Sequence, residues 1–69
     1  MKQFKIGQTI AKYSENGLQV MGEIKKIEDT SIMIDVIYHP NDNWIKWDTL
    51  FAIHTTHAQS FYTIVSEPQ

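Results

Sequence analysis

Eight consecutive residues, Ser31-Ile32-Met33-Ile34-Asp35-Val36-Ile37-Tyr38, constrain this chain more than any other stretch. Ile32, Ile34, Val36 and Ile37 are β-branched, stiff at χ1 and suited to a pleated surface. Strand alternation predicts Ile32, Ile34, Val36 and Tyr38 on one face and Met33 and Ile37 on the other. Both faces are then partly apolar. Such a strand belongs at the centre of a sheet or against a second copy of the chain.

Turn signals parcel the rest into further short strands. Gly7 is expected to open a bend before a first strand, Thr9-Ile10-Ala11-Lys12-Tyr13, and Ser14-Glu15-Asn16-Gly17 reads as a turn in which Asn-Gly favours positive φ. From Gln19 to Ile27 the apolar positions Val20, Ile24 and Ile27 suit a long strand. Gly22 inside it points to a bend or a close backbone approach. Glu28-Asp29-Thr30 supplies the next turn, and Phe61-Tyr62-Thr63-Ile64-Val65 the last strand.

The stretch after Asn43 supports two readings. Trp44, Trp47, Phe51, His54 and Ala58 recur at helical spacing, which would extend a helix from near Asn43 through His54. Against it, no Asn or Asp in Asn41 to Asn43 has a Glu or Gln three positions on, so a capping box is missing. Pro40-Asn41-Asp42-Asn43 suits a type I turn closing a hairpin. The preferred expectation is a strand over Trp44 to Trp47, then a tight helical turn over Asp48-Thr49-Leu50-Phe51. Ala52 to Ser60 fits either a helix or a strand.

At 69 residues the chain has room for one domain, expected to span 1–69 with 1–8 as a lead-in and 66–69 as a frayed tail. Domains of this size bury only about 60% of their unfolded surface. With no Cys there is no disulfide to reinforce the core, so tight packing, a partner or weak homodimerisation must do so. The missing thiols also fit a reducing, cytoplasmic setting. No apolar run approaches the roughly 20 residues of a membrane span. Met1 to Ile6 lacks the apolar centre of a signal peptide. The chain is therefore expected to be complete, soluble and cytoplasmic, with no membrane partner.

Charge narrows the partner classes. Six Lys, no Arg and eight acidic residues give a net charge of −2. Specific DNA readers lean on Arg for bidentate contacts to guanine, and DNA mimics need a dense carboxylate surface; neither description fits. Lys2, Lys5, Lys12, Lys25 and Lys26 could still gather as a phosphate-tracking patch, although Glu23, Glu28 and Asp29 interrupt it. His54-Thr55-Thr56-His57, with His39, has the residue type of a metal site. A structural zinc wants four ligands, usually including Cys, so no metal or other cofactor is expected. Ser60, His57 and Asp48 are the types of a nucleophile, base and orienter, but no motif surrounds them and catalysis is not expected.

The densest aromatic stretch is Tyr38-His39-Pro40-Asn41-Asp42-Asn43-Trp44-Ile45-Lys46-Trp47. A hairpin here would bring three rings together, either as a corner of the core or as a shallow binding surface. On a regular strand Trp44 and Lys46 share a face, a combination suited to stacking a base beside a phosphate. Met21, Met33 and Ile37 form a second apolar group suited to an adaptable protein contact or self-association.

Short curved strands in this order resemble a Tudor or chromo-barrel domain, an SH3-like antiparallel barrel of about five strands with a short helical turn. The resemblance rests on Ala11 to Gly17 as first strand and loop, Gly22-Glu23-Ile24 in the second strand, and Tyr38 to Leu50, where Trp44 and Trp47-Asp48-Thr49-Leu50 are similar to the chromo-barrel run. It covers Thr9 to Phe51. It implies a non-catalytic module binding a protein or peptide, with ring walls from Tyr13, Tyr38 and Trp44 as in methyl-lysine cages. The residues expected to bind are thus Tyr13, Tyr38, Asn43, Trp44, Lys46 and Trp47. The alternative is a nucleic-acid-binding small barrel using Trp44, Lys46 and the lysine patch.

Overall fold

A computed structural model describes residues 1–39 and 50–68 of the chain. It is mainly β: β1 (Thr9–Ser14), β2 (Gly17–Ile27), β3 (Ser31–Tyr38), β4 (Phe51–His54) and β5 (Tyr62–Ser66), with one helix, α1 (Thr55–Phe61), between the last two strands. The strands form a single antiparallel sheet in the order β4-β3-β2-β1-β5. Among the described residues no ladder joins β4 to β5, so the sheet is open at that edge.

The β-branched run forms β3 within the expected limits, and it lies between β2 and β4 as its two apolar faces require. Ile32, Ile34 and Val36 are buried and Ile37 is exposed. They join Ile10, Val20, Ile24, Ile53, Ala58 and Tyr62 in one core, with Phe4, Phe51 and Ile64 packed around it. Ile10, Ile24, Ile32 and Ile34 are fully buried. Each such side chain contributes about 1.5–3 kcal/mol by leaving water.

Two glycines answer different demands. Gly17 follows the Glu15-Asn16 turn with φ of +110°, a conformation that L side chains rarely adopt. Gly22, in the middle of β2, is needed for space. A Cβ there would lie 2.7 Å from the carbonyl oxygen of Asp35 and 2.9 Å from Cδ1 of Ile34. The close backbone approach expected from sequence is therefore the approach of β3.

Among the described residues the register shifts at four points, two of which concern aromatic side chains. One falls between Lys12 and Tyr13, so that Lys12 faces Val20 while Tyr13 faces Leu18. The other sets Val36 opposite Gly22 and Tyr38 opposite Met21. Cross-strand partners share a face, so Tyr38 leaves the row of Ile32, Ile34 and Val36 and stands beside Met21 on the other side of the sheet.

The C-terminal third differs most from expectation. Phe51, assigned to a helical turn, instead opens β4, where Phe51, Ala52 and Ile53 pair with Ile34, Met33 and Ile32. The same pairing excludes a helix running through His54. The helix comes later. His54 caps it, with extended backbone and a side chain that accepts from the Thr56 N–H, while the Thr55 N–H donates to Thr30 O at 2.9 Å. Phe61, expected in the last strand, is the final helical residue, because the Tyr62 N–H still bonds back to Ala58 O.

Both chain ends are held. Gln8 is buried, and its side chain accepts from the Lys5 N–H at 2.7 Å and donates to Gln3 O at 3.1 Å and Glu67 Oε1 at 3.0 Å. Ser66, expected in a frayed tail, completes β5. Gln59 of α1 pairs through its amide with the backbone of Lys2, at 2.9 and 2.8 Å. The lead-in is thereby strapped onto the helix.

Candidate functional site

Lys12 organises the open edge. It follows Ile10 and Ala11 on β1 and lies opposite Val20 and Tyr62, on the core side of the bulge. Its Nζ reaches α1, 3.3 Å from His57 Nε2 and 5.5 Å from the centroid of the Phe61 ring. A lysine ammonium only donates, so in this contact the His57 ring nitrogen is the acceptor. The His57 ring leans on Phe61, with centroids 4.7 Å apart, and meets Tyr62 edge-on at 6.0 Å. The helical i, i+4 spacing of His57 and Phe61 is what allows the first contact.

Between these groups and β4 lies a hollow of about 330 Å³, bounded by Lys12, Phe51, Ile53, His54, His57 and Tyr62. A smaller one of about 110 Å³ adjoins it, sharing Lys12, Phe51 and Tyr62 and reaching Gln19, Val20 and His39. Among the described residues neither has a carboxylate in its lining. Burial pushes the Tyr62 phenol above its ordinary value. Phe61 remains well exposed at 58% and forms a free apolar rim beside Lys12.

The histidines divide the work. His54 Nδ1 serves the helix cap, 2.8 Å from Thr56 Oγ1, while His57 meets Lys12. Among the described residues no three His, Asp or Glu side chains gather as a metal site would require.

The sequence-derived candidates are dispersed. Tyr13 is 57% exposed near the end of β1, and Tyr38 stands opposite Met21 at the end of β3. The register shift in β3 places Tyr38 with Met21 on the face away from the hollow, whereas Tyr13 pairs with Leu18 beyond the bulge in β1. Met33 lies further along β3 beyond Asp35, next to Ala52 and Lys26, so charged residues separate it from Ile37. Asn43, Trp44, Lys46 and Trp47 lie outside the described residues, as does the strand expected over Trp44 to Trp47. The lysines have different neighbours: Lys2 Nζ donates to Gln59 O, Lys12 meets His57, and Lys25 pairs with Glu23 at 2.9 Å. That carboxylate raises the Lys25 ammonium above its ordinary value.

Sequence reading missed Lys12, Phe51, His57, Phe61 and Tyr62 as a group. Only the His57 and Phe61 spacing was available as a signal, and it required the helix to be placed first.

No family model, curated protein or solved structure matches the chain. No helix among the described residues is long and apolar enough to cross a membrane.

Proposed function

We propose that this chain is a small SH3-like β-barrel of the Tudor and chromo-barrel kind, acting as a non-catalytic module that binds a protein or peptide. The barrel reading is supported by the strand order, by the close packing of β2 on β3 at Gly22, and by α1 linking the two edge strands. Small barrels of this type bend one long central strand so that its halves serve two sheets, and β2 has the length for that role.

The observation that carries the binding reading is the hollow at the open edge. It has aromatic and aliphatic walls and one amine, and the exposed Phe61 touches Lys12 and His57 of its lining. Its volume lies at the lower end of the roughly 300–1,000 Å³ of ligand pockets, a fit for one or two side chains of a peptide. Tyr38, beside Met21 on the opposite face, is not needed for this contact.

A displayed random-peptide library selected on the immobilised protein tests the proposal. Enriched peptides should bind about tenfold or more weakly to Phe61→Ala, since exposed aromatic anchors dominate such contacts. The melting temperature should hardly change. Failure to enrich any peptide, together with oligonucleotide binding that weakens steeply with salt, would favour the nucleic-acid reading instead.

A further inference from the structure

We infer that the hollow captures the free C-terminus of a peptide ending in an apolar residue, with Lys12 receiving the terminal carboxylate. This deepens the peptide-binding reading above and rests on it.

Lys12 Nζ has three N–H groups; His57 Nε2 takes one, and the Phe61 face attracts the charge without accepting a conventional hydrogen bond. No carboxylate among the described residues pairs with Lys12, in contrast to Lys25, which has Glu23. Among the described residues the lining of both hollows holds no acidic side chain, in a chain whose net charge is −2. A cationic amine thus faces a largely apolar hollow. The complementary ligand carries an anion and an apolar group side by side.

Geometry then selects among carboxylates. Along an extended peptide, side chains on one face recur only every second residue, about 6.6 Å apart. An internal Asp or Glu therefore holds its charge at the end of one side chain and the apolar group on another. A C-terminal Leu or Phe carries its carboxylate and its apolar side chain on the same Cα. The latter lets a single residue bring both into the hollow of about 330 Å³ that has Lys12 on one side and Phe51, Ile53 and Tyr62 on the others. A charge-assisted bond to Lys12 then supplies orientation, and burial of the last side chain supplies affinity.

Minimal probes test this. N-acetyl-phenylalanine and its C-terminal amide have the same side chain and differ in the charge of the terminal group. The amide resonances of the full chain are followed during addition of each. The expected result is shifts at Lys12, Phe51, His57 and Tyr62 with the acid, and binding about tenfold weaker for the amide. Lys12→Met keeps the apolar stem and should reduce acid binding to the level of the amide, with Lys12→Arg restoring most of it. A dispersed amide spectrum shows that each variant has folded. N-acetyl-aspartic acid α-amide, an internal-type carboxylate without an apolar side chain, should shift these residues least.

Equal binding of acid and amide at these residues overturns the carboxylate inference and leaves the hollow as a peptide site. Absence of shifts there with either probe, up to the limit of solubility, overturns both. Tighter binding of the aspartate probe than of N-acetyl-phenylalanine overturns the assignment to a C-terminus.

Discussion

Replacing Gly22 by alanine should be among the most damaging single-methyl additions to this chain, and the structure gives its size. The new Cβ would stand 2.7 Å from Asp35 O, whereas carbon and carbonyl oxygen ordinarily approach no closer than about 3.3 Å. About 0.6 Å must therefore be found. Moving the Cδ1 of Ile34, 2.9 Å away, costs a rotamer change in a fully buried residue. Moving Asp35 strains the ladder in which Glu23 faces Asp35 and Ile24 faces Ile34. Overpacking of this kind costs about 1–3 kcal/mol, and a weakened ladder hydrogen bond adds about 1. We expect a loss of about 3 kcal/mol from a domain whose whole stability, at this length, is about 3–10 kcal/mol. The melting temperature should fall by about 12–24 °C. Gly17→Ala is the control: nothing lies within 4 Å of its Cβ, and only the positive φ is strained, for about 1 kcal/mol. Urea and thermal unfolding followed by circular dichroism measure both. Equal losses for the two variants would refute the close approach of β2 and β3.

Three further outcomes follow from individual groups. Thr55 Oγ1 is buried without a hydrogen-bond partner, so Thr55→Val, which replaces the hydroxyl by a methyl, should stabilise the fold by about 1 kcal/mol; a lower melting temperature would mean that the hydroxyl is satisfied. Gln8→Leu strands the Lys5 N–H, Gln3 O and Glu67 Oε1 together, and should cost about 2–4 kcal/mol by urea unfolding, with native-like stability as the contrary result. For Tyr62 the folded phenol lies above its unfolded value near 10, so the unfolded chain releases its proton first. Stability should be intact below pH 10 and decline as the pH rises toward the folded value, and Tyr62→Phe should flatten that decline relative to the parent chain.

Local rules made β1, β2 and β3 legible. β-branched density marks Ser31 to Tyr38, Asn16-Gly17 marks the first hairpin, and Gly22 announces a close contact. The helix was illegible for a physical reason. Thr55, Thr56 and His57 are weak helix formers, and α1 depends on the His54 cap and on burial of Ala58 against the core. Phe51 was misplaced because its strand is only four residues long and pairs with a run about twenty positions earlier. The candidate site was hidden more deeply. Lys12, Phe51, His57 and Tyr62 belong to four elements, and the long-range pairings of β1 with β5 and of β3 with β4 are needed to unite them. Single-residue bulges also moved Tyr38 onto the face of Met21, which alternation alone does not foresee.

The most direct test of the account is a chemical-shift map of the tightest peptide from the displayed library on the wild-type chain. The largest amide changes are expected on Lys12, Phe51, Ile53, His57 and Tyr62 around the hollow. Changes confined to Met21, Ile37 and Tyr38, on the opposite face of the sheet, would rule the hollow out as the peptide site.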